Sequence, residues 1–200
     1  MKFNWLNKKD NSKLIIFFNG WGMDDTAVRH LLPADYDVFT VCDYNELEAL
    51  PNFSEYKEKY VVAWSMGVMV ATLYDIERKS ATAINGTPFP IHLEYGINPK
   101  VYKLMELGYS EQTKDKFLLK MFNDDTNVFY PNRDCASQKS ELTALKGYSG
   151  NVDYKFSRVI IGDNDRIIPT DCQLNYWKDY ELINEGHCLF HRFSKWEELL

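Results

Sequence analysis

The sequence predicts one α/β domain with a mainly parallel sheet flanked by helices. Short, continuous apolar runs recur in the first half of the chain and again near its end, as in strands buried on both faces of a parallel sheet. Helical or turn-forming segments separate these runs, which is the spacing of right-handed β-α-β units. A length of 200 residues with 45% hydrophobic residues suits a single domain, residues 1–200, with a sizeable core.

The elements follow from the apolar runs in chain order. We predict an edge strand over 2–6 and further strands over 14–18, 36–42, 60–64, 81–87, 157–162 and 180–183. Helices are predicted over 26–32 and 66–78, and a loop with a short helix over 43–58. Residues 88–150 contain no good strand but several helical stretches rich in aromatic residues. We interpret 88–150 as a helical lid insertion over the carboxyl ends of the strands, where such sheets bind ligands.

Composition excludes several classes of function. The net charge of −6 argues against nucleic acid as the main partner. The sequence contains no run of 18 apolar residues, so it predicts no membrane-spanning helix. The first residues lack the apolar region of a signal peptide, and the four cysteines lack metal-ligand spacing. We therefore expect a cytoplasmic monomer with free thiols, no cofactor, no metal, and no nucleic-acid or membrane partner.

A serine stands where one predicted strand meets the following helix. Ser65 follows the apolar run 60–64 and precedes Met66-Gly67 and a stretch of small and aliphatic residues. A serine on such a strand-to-helix turn is typical of a nucleophile elbow. Because Ala63 replaces the first Gly of the G-x-S-x-G pattern, the alternative is a small residue that only packs the turn. The context favours Ser65 as the nucleophile.

A serine nucleophile needs a general base. His187 directly follows the last predicted strand, on a loop at the carboxyl edge of the sheet, where a base is expected. His191 is the alternative base, and a purely structural role for His187 is also open. His30 falls on the first predicted helix and His92 in the segment 88–150.

The base in turn needs an acid to orient it. The loop after the penultimate strand offers Asp163 and Asp165, either of which could be a turn former instead. We prefer Asp165 because the sequence continues into Ile167-Ile168-Pro169, a hydrophobic anchor that would fix the loop. Asp163 stays the alternative.

The oxyanion of an acyl-transfer intermediate needs two N–H donors. We assign the N–H of Met66, which follows the nucleophile, and the N–H of Trp21, in the glycine-rich loop after the strand 14–18. A plain glycine turn with Trp21 in the core is the alternative. The oxyanion loop, Ser65, Asp165 and His187 occur in the chain order of the α/β-hydrolase fold, each after its own predicted strand.

A closer resemblance rests on three segments, FFNGWGMD at 17–24, AWSMG at 63–67 and GH at 186–187. Together they resemble the BioG family of small α/β-hydrolases, which are pimeloyl-[acyl-carrier-protein] methyl ester esterases of biotin synthesis. The equivalent BioH esterases have His-Gly-Trp-Gly and Gly-Trp-Ser-Met-Gly, where this chain has Asn19 and Ala63, so BioG is the better match. The resemblance covers nearly the whole chain and is least specific over 88–150.

The resemblance implies a reaction and a partner. Ser65 would attack the methyl ester of a pimeloyl chain carried on acyl carrier protein, and water activated by His187 would release the free acid. Trp21, Trp64, Phe89 and the aromatic residues of the predicted lid, such as Phe117, would line an apolar channel for the chain. A thioesterase, a general short-chain carboxylesterase and a non-catalytic acyl-binding module are the alternatives.

Acyl carrier protein is acidic, so the surface of this protein that binds it is expected to be basic. Residues 88–150 contain eight Lys and Arg against eight Asp and Glu, so their net charge is zero where the whole chain carries −6. The predicted lid is therefore the least repulsive approach for the carrier protein.

Overall fold

A computed structural model describes residues 1–122 and 128–200, so residues 123–127 of the predicted lid insertion lie outside the described part. The described residues form a seven-stranded sheet in the order β1-β3-β2-β4-β5-β6-β7. The strands are β1 (Lys2–Asn7), β2 (Lys13–Phe18), β3 (Tyr36–Cys42), β4 (Glu58–Trp64), β5 (Ser80–Ile84), β6 (Arg158–Gly162) and β7 (Glu181–Ile183). Strand β1 pairs antiparallel with β3 at one edge, and the other neighbours pair in parallel, which confirms the predicted fold class.

The helices are concentrated in the second half of the chain. They are α1 (Met66–Ala71), α2 (Pro99–Gly108), α3 (Lys114–Leu119), α4 (Cys135–Leu145) and α5 (Thr170–Tyr176), with 3-10 turns at Asp25–Ala27, Phe190–Arg192 and Trp196–Leu199. Helices α2, α3 and α4 fall within 88–150, and no strand is found in the described part of that segment. No helix among residues 1–122 and 128–200 is long and apolar enough to cross a bilayer.

Two hydrophobic clusters sandwich the sheet. Alternate residues of β2 point to opposite faces, so Leu14, Ile16 and Phe18 join one cluster and Ile15 and Phe17 join the other. All five side chains are fully buried. This two-sided burial explains the continuous apolar run in the sequence and fixes the carboxyl end of β2 beneath the site.

Two predicted helices are shorter in the structure, and the short helix predicted within 43–58 does not form. Only a 3-10 turn, Asp25–Ala27, forms in 26–32, because Leu32 pairs instead with the backbone of Ser194 and Trp196. No helix occurs in 43–58.

Helix α1 is also shorter than the predicted 66–78. It ends at Ala71 because the Thr72 hydroxyl donates to Met69 O at 2.6 Å and accepts from Asn151 N–H at 2.9 Å. The chain then leaves the helix after less than half of the predicted length.

Candidate active site

Ser65 occupies a strained turn between β4 and α1. Its φ of 58° and ψ of −125° lie outside the regions that side chains ordinarily adopt, as on a nucleophile elbow. A Cβ at Gly67 would overlap the carbonyl oxygens of Phe18 and Asn19, so only glycine allows α1 to start this close to the end of β2. Ala63 is fully buried in β4, where its methyl group is tolerated. The elbow therefore depends on Gly67.

The structure brings Ser65, His187 and Asp165 into one hydrogen-bonded row. His187 Nε2 lies 2.8 Å from Ser65 Oγ, and His187 Nδ1 lies 2.8 Å from Asp165 Oδ2. Because an ionised carboxylate only accepts hydrogen bonds, Nδ1 carries the proton and Nε2 is left to accept from the serine hydroxyl. All three side chains are buried. The row can move a proton from a serine hydroxyl to an imidazole.

The other histidines and Asp163, which the sequence offered in place of His187 and Asp165, lie outside this hydrogen-bonded row. His191 Nε2 is 3.0 Å from Glu185 Oε1, and His30 Nε2 is 3.0 Å from Phe190 O. His92 Nδ1 accepts two backbone N–H groups of its own turn. Asp163 is exposed, whereas Asp165 is buried against His187.

Other contacts fix Asp165 in this row. Its Oδ1 accepts the backbone N–H groups of Ile167 at 2.8 Å and Ile168 at 3.0 Å. Its Oδ2 accepts from Gln173 Nε2 at 2.9 Å, in addition to His187. The apolar residues after Asp165 therefore do anchor the loop, with Ile168 fully buried.

Asn85 holds the loop that carries His187, and the sequence interpretation missed it. It directly follows β5 with a φ of 46°, in the left-handed region that Asn tolerates. Its Nδ2 donates to Gly186 O at 3.0 Å and His187 O at 2.8 Å, and its Oδ1 accepts from Gly162 N–H at 2.7 Å. The Asn-Gly pair at the strand end was the available signal.

The two proposed oxyanion donors flank Ser65. Met66 begins α1, so its N–H is one of the unpaired amides of a helix N-terminus. Trp21 follows β2 in the loop beneath the same site. Neither backbone N–H has an acceptor among the described residues. Both amides can therefore bind an oxygen atom of a ligand.

A small cavity lies beside Ser65. Its volume is about 10 Å³, room for roughly one water molecule. Trp21 and Trp64 line it, but Phe89 does not, because Phe89 packs against His92, Tyr95 and Tyr176 instead. The wall also includes Phe117, one of the aromatic residues of 88–150 that were expected there, and Ile167 from the loop after Asp165. Four further wall residues were not expected from the sequence, namely Met23, Ile97, Met105 and Met121.

A larger groove adjoins this cavity. It has a volume of about 370 Å³ and shares four apolar residues with the cavity, Ile97, Met105, Phe117 and Ile167. Its outer part is lined by Val101 and Leu104 of α2, both more than half exposed. Helices α2 and α3 thus form an apolar path towards Ser65.

The charges at this groove are positive. Lys116, Lys120 and Arg166 line it, and no Asp or Glu of the described residues does so. All three cations are exposed. The groove is therefore a basic region on a protein whose net charge is −6.

The thiol next to the histidine is not a competing nucleophile. Cys188 is buried, and this burial raises the pKa of its thiol to about 12. Since the thiolate is the reactive form, Cys188 stays inert near neutral pH. Ser65 is therefore the candidate nucleophile of this site, because its Oγ lies within hydrogen-bond distance of His187 Nε2.

The chain is similar to known proteins in both sequence and fold. The family described as pimeloyl-ACP methyl esterase BioG matches residues 1–199. The crystal structure of BioG from Haemophilus influenzae is 31% identical, with a TM-score of 0.93 over 100% of this chain and 99% of that chain. Naproxen esterase from Bacillus subtilis shares the fold, with a TM-score of 0.55 and 14% identity over 94% of this chain and 81% of its own.

One sequence relative is much longer. A protein of Bacteroides fragilis named malonyl-[acyl-carrier protein] O-methyltransferase is 35% identical over 179 residues, which cover 83% of this chain but 36% of that protein. The chain thus spans about a third of that relative. With the family match over nearly its whole length and the α/β-hydrolase fold around Ser65, this chain belongs to the BioG family of carboxylic ester hydrolases.

Proposed function

We propose that the chain is a serine esterase that hydrolyses the methyl ester of pimeloyl-[acyl-carrier protein], giving pimeloyl-[acyl-carrier protein] and methanol in biotin synthesis. The observation that carries this proposal is the hydrogen-bonded row of Ser65, His187 and Asp165 beneath an apolar groove. Membership of the BioG family supports this choice of substrate.

The reaction proceeds through an acyl-enzyme. Ser65 Oγ bonds to the ester carbonyl carbon while His187 Nε2 takes the hydroxyl proton. The resulting oxyanion accepts hydrogen bonds from the N–H groups of Trp21 and Met66. The tetrahedral intermediate collapses, the methoxy group leaves with the proton from His187 as methanol, and Asp165 stabilises the transient imidazolium.

Hydrolysis of the acyl-enzyme repeats these steps with water. His187 Nε2 takes a proton from water, whose oxygen bonds to the acyl carbon. The bond between the acyl carbon and Ser65 Oγ then breaks as His187 returns the proton to Oγ. The product carries a free carboxylate at the far end of the pimeloyl chain.

The groove accounts for cleavage of the ester rather than the thioester. The acyl chain follows the apolar path between α2 and α3, so only its far end reaches the cavity beside Ser65. The thioester stays at the outer end, near Lys116, Lys120 and Arg166. These cations complement an acidic carrier protein.

The Bacteroides fragilis relative supports a carrier-bound methyl ester. Its name describes a methyltransferase that acts on a malonyl group carried by acyl carrier protein. A methyltransferase for such an acyl group and an esterase that removes methanol act on the same kind of bond.

Access to Ser65 requires the helical segment to move. The cavity of about 10 Å³ is too small for a methyl ester, and Phe117 closes it by packing edge-on against Trp21 with ring centroids 4.8 Å apart. Displacing Phe117 and Met105 would join the cavity to the groove. Residues 88–150 then act as the lid.

The test is turnover of purified methyl pimeloyl-carrier protein. Wild type should release methanol and leave the thioester intact, whereas Ser65→Ala should lose activity by up to about 10⁶-fold while its unfolding midpoint is unchanged. In a biotin-requiring strain that lacks its pimeloyl methyl esterase, wild type should restore growth and Ser65→Ala should not.

Three results would contradict the proposal. Retained turnover by Ser65→Ala would remove Ser65 as the nucleophile. Faster cleavage of the acyl thioester than of the methyl ester would indicate a thioesterase. Equal efficiency on p-nitrophenyl esters and on the carrier-bound ester would indicate a general carboxylesterase.

A further inference from the structure

The loop that carries Trp21 is held by hydrogen bonds on its amino-terminal side. Gly20 N–H donates to Asn19 Oδ1 at 3.1 Å, and Gly20 O accepts from Met23 N–H at 3.3 Å. Asn19 is itself fixed, because its Nδ2 donates to Asp24 O at 2.9 Å. These contacts come from the loop itself and from its immediate continuation.

The carboxyl-terminal side of the same loop is held from outside, by helix α4. Gly22 N–H donates to Glu141 Oε2 at 3.2 Å, and Gly22 O accepts from Gln138 Nε2 at 2.8 Å. The indole N–H of Trp21 donates to the backbone oxygen of Gln138 at 2.8 Å. Glu141 is fully buried and Gln138 is 3% exposed. Helix α4 therefore contacts the two peptide groups that directly follow a proposed oxyanion donor, and also the indole of Trp21.

The same two side chains are fixed in turn. Glu141 Oε1 accepts from Tyr44 N–H at 2.9 Å, and its Oε2 pairs with Arg133 at 2.6 Å. Gln138 Oε1 accepts from Tyr109 OH at 2.9 Å. Because both polar atoms of each side chain are hydrogen-bonded, each side chain is held in one orientation and couples the position of α4 to that of the loop.

Gly22 makes this support necessary. Its φ of +72° is a conformation that glycine adopts easily but also leaves easily, because no Cβ restricts the backbone. Without the two contacts from α4 to Gly22, the peptide groups that follow the Trp21 N–H would be held only by the hydrogen bond from Met23 N–H to Gly20 O.

We propose that Gln138 and Glu141 of α4 are positioning residues that hold the Gly20–Gly22 loop so that the Trp21 N–H faces the oxyanion. The inference rests on the function proposed above and adds that the helical segment completes the oxyanion site as well as covering it. Neither side chain touches the substrate.

The experiment compares Gln138→Met and Glu141→Gln with wild type on p-nitrophenyl butyrate. We expect kcat to fall about 10- to 100-fold while KM changes little. The hydrogen bond from the Trp21 N–H stabilises mainly the transition state, so displacing this donor weakens transition-state binding more than substrate binding. Affinity for an alkylboronic acid, which mimics the tetrahedral intermediate, should fall by a similar factor. Two variants are used because Glu141→Gln also leaves Arg133 with one fewer charged partner and is more prone to unfold.

The matched control is Tyr102→Phe. Tyr102 OH donates to Leu142 O of α4 at 2.8 Å, so this change removes a buried hydrogen bond from the same helix without touching the loop. It should leave kcat and boronic acid affinity within about twofold of wild type. An equal loss in Tyr102→Phe, or a fall in kcat without weaker boronic acid binding, would overturn the proposal.

An amide measurement separates this inference from the proposed function. In ¹⁵N-labelled protein the Trp21 amide should give one sharp resonance in wild type and Tyr102→Phe, and a broadened or doubled one in Gln138→Met. Unchanged resonances would overturn the positioning role even if the enzyme is active. A wild type that hydrolyses no ester would overturn the esterase while the amide result still decides the role of α4.

Discussion

Asp165 uses both carboxylate oxygens in the structure, and this fixes the direction of the proton in the site. One oxygen accepts two backbone N–H groups of its own loop, and the other accepts from Gln173 and His187. A carboxylate bonded in this way cannot turn away from the imidazole. His187 is therefore held with Nε2 towards Ser65 before any substrate binds.

The first prediction concerns this carboxylate. Asp165→Asn should lower kcat by about 10⁴-fold, because an amide at this place favours the wrong tautomer of His187. Steady-state hydrolysis of p-nitrophenyl butyrate measures the loss. The matched control is the exposed neighbour, Asp163→Asn, which should keep wild-type kcat; equal losses would remove Asp165 from the site.

A second residue-scale prediction concerns pH and lies far from the site. Asp37 is buried, and although this desolvation raises the pKa of its carboxyl, hydrogen bonds from Lys9, Tyr56 and Asn11 outweigh it and leave the pKa below 3.8. The charged form is favoured by folding, so this stabilisation is present above about pH 4 and is lost as pH falls through the folded-state pKa.

Thermal unfolding between pH 7 and pH 3 tests this linkage. Wild type should lose more of its melting temperature over that range than Asp37→Asn, whose side chain does not titrate. Parallel curves for the two proteins would show that Asp37 contributes nothing to acid sensitivity.

At the scale of elements, the junction of β4 and α1 tolerates one methyl group on its strand side and none on its helix side. Ala63→Gly should cost about 1 kcal/mol, from lost burial and added backbone freedom. Gly67→Ala should cost about 3 kcal/mol, because the new methyl group overlaps two backbone carbonyls at the end of β2. Urea unfolding gives both values; the reverse ranking would contradict the close approach of α1.

The same scale shows where sequence patterns suffice. Strand β3 was predicted with its observed bounds, since its apolar residues are buried on both faces and need no partner to be recognised. The predicted helix 26–32 failed because its carboxyl end pairs with the backbone at 194–196, far along the chain. Local propensity carries no information about such a partner.

The residues of the site also divide into those that local sequence predicts and those that only the folded chain brings together. Ser65, Asp165 and His187 were suggested by their positions after strands, and the structure places them within hydrogen-bond distance of one another. Gln138 and Glu141 lie in a helix with no motif, so only the folded chain shows that they reach the Trp21 loop. The acidic or basic character of a groove also depends on which helices meet.

At the scale of the whole molecule, charge is unevenly distributed. The chain carries −6, yet the groove above the site presents Lys116, Lys120 and Arg166. Such a distribution makes the groove less repulsive to an acidic protein than the rest of the surface is.

The corresponding prediction uses the double change Lys116→Ala and Lys120→Ala. We expect KM for methyl pimeloyl-carrier protein to rise about two- to fivefold, with KM for p-nitrophenyl butyrate unchanged. Lys103→Ala, an exposed lysine of α2 that does not line the groove, is the control. An equal effect on both substrates would contradict docking at the groove.

The closed cavity beside Ser65 has a kinetic consequence. Its hydrogen-bonded row is already assembled, while a volume of about 10 Å³ excludes even a small ester. The helical segment must therefore open before an ester reaches Ser65, as with other enzymes whose loops gate the reaction. Added viscogen should lower kcat/KM of wild type for p-nitrophenyl butyrate, and should lower it less in Gln138→Met, where bond breaking is expected to be slower.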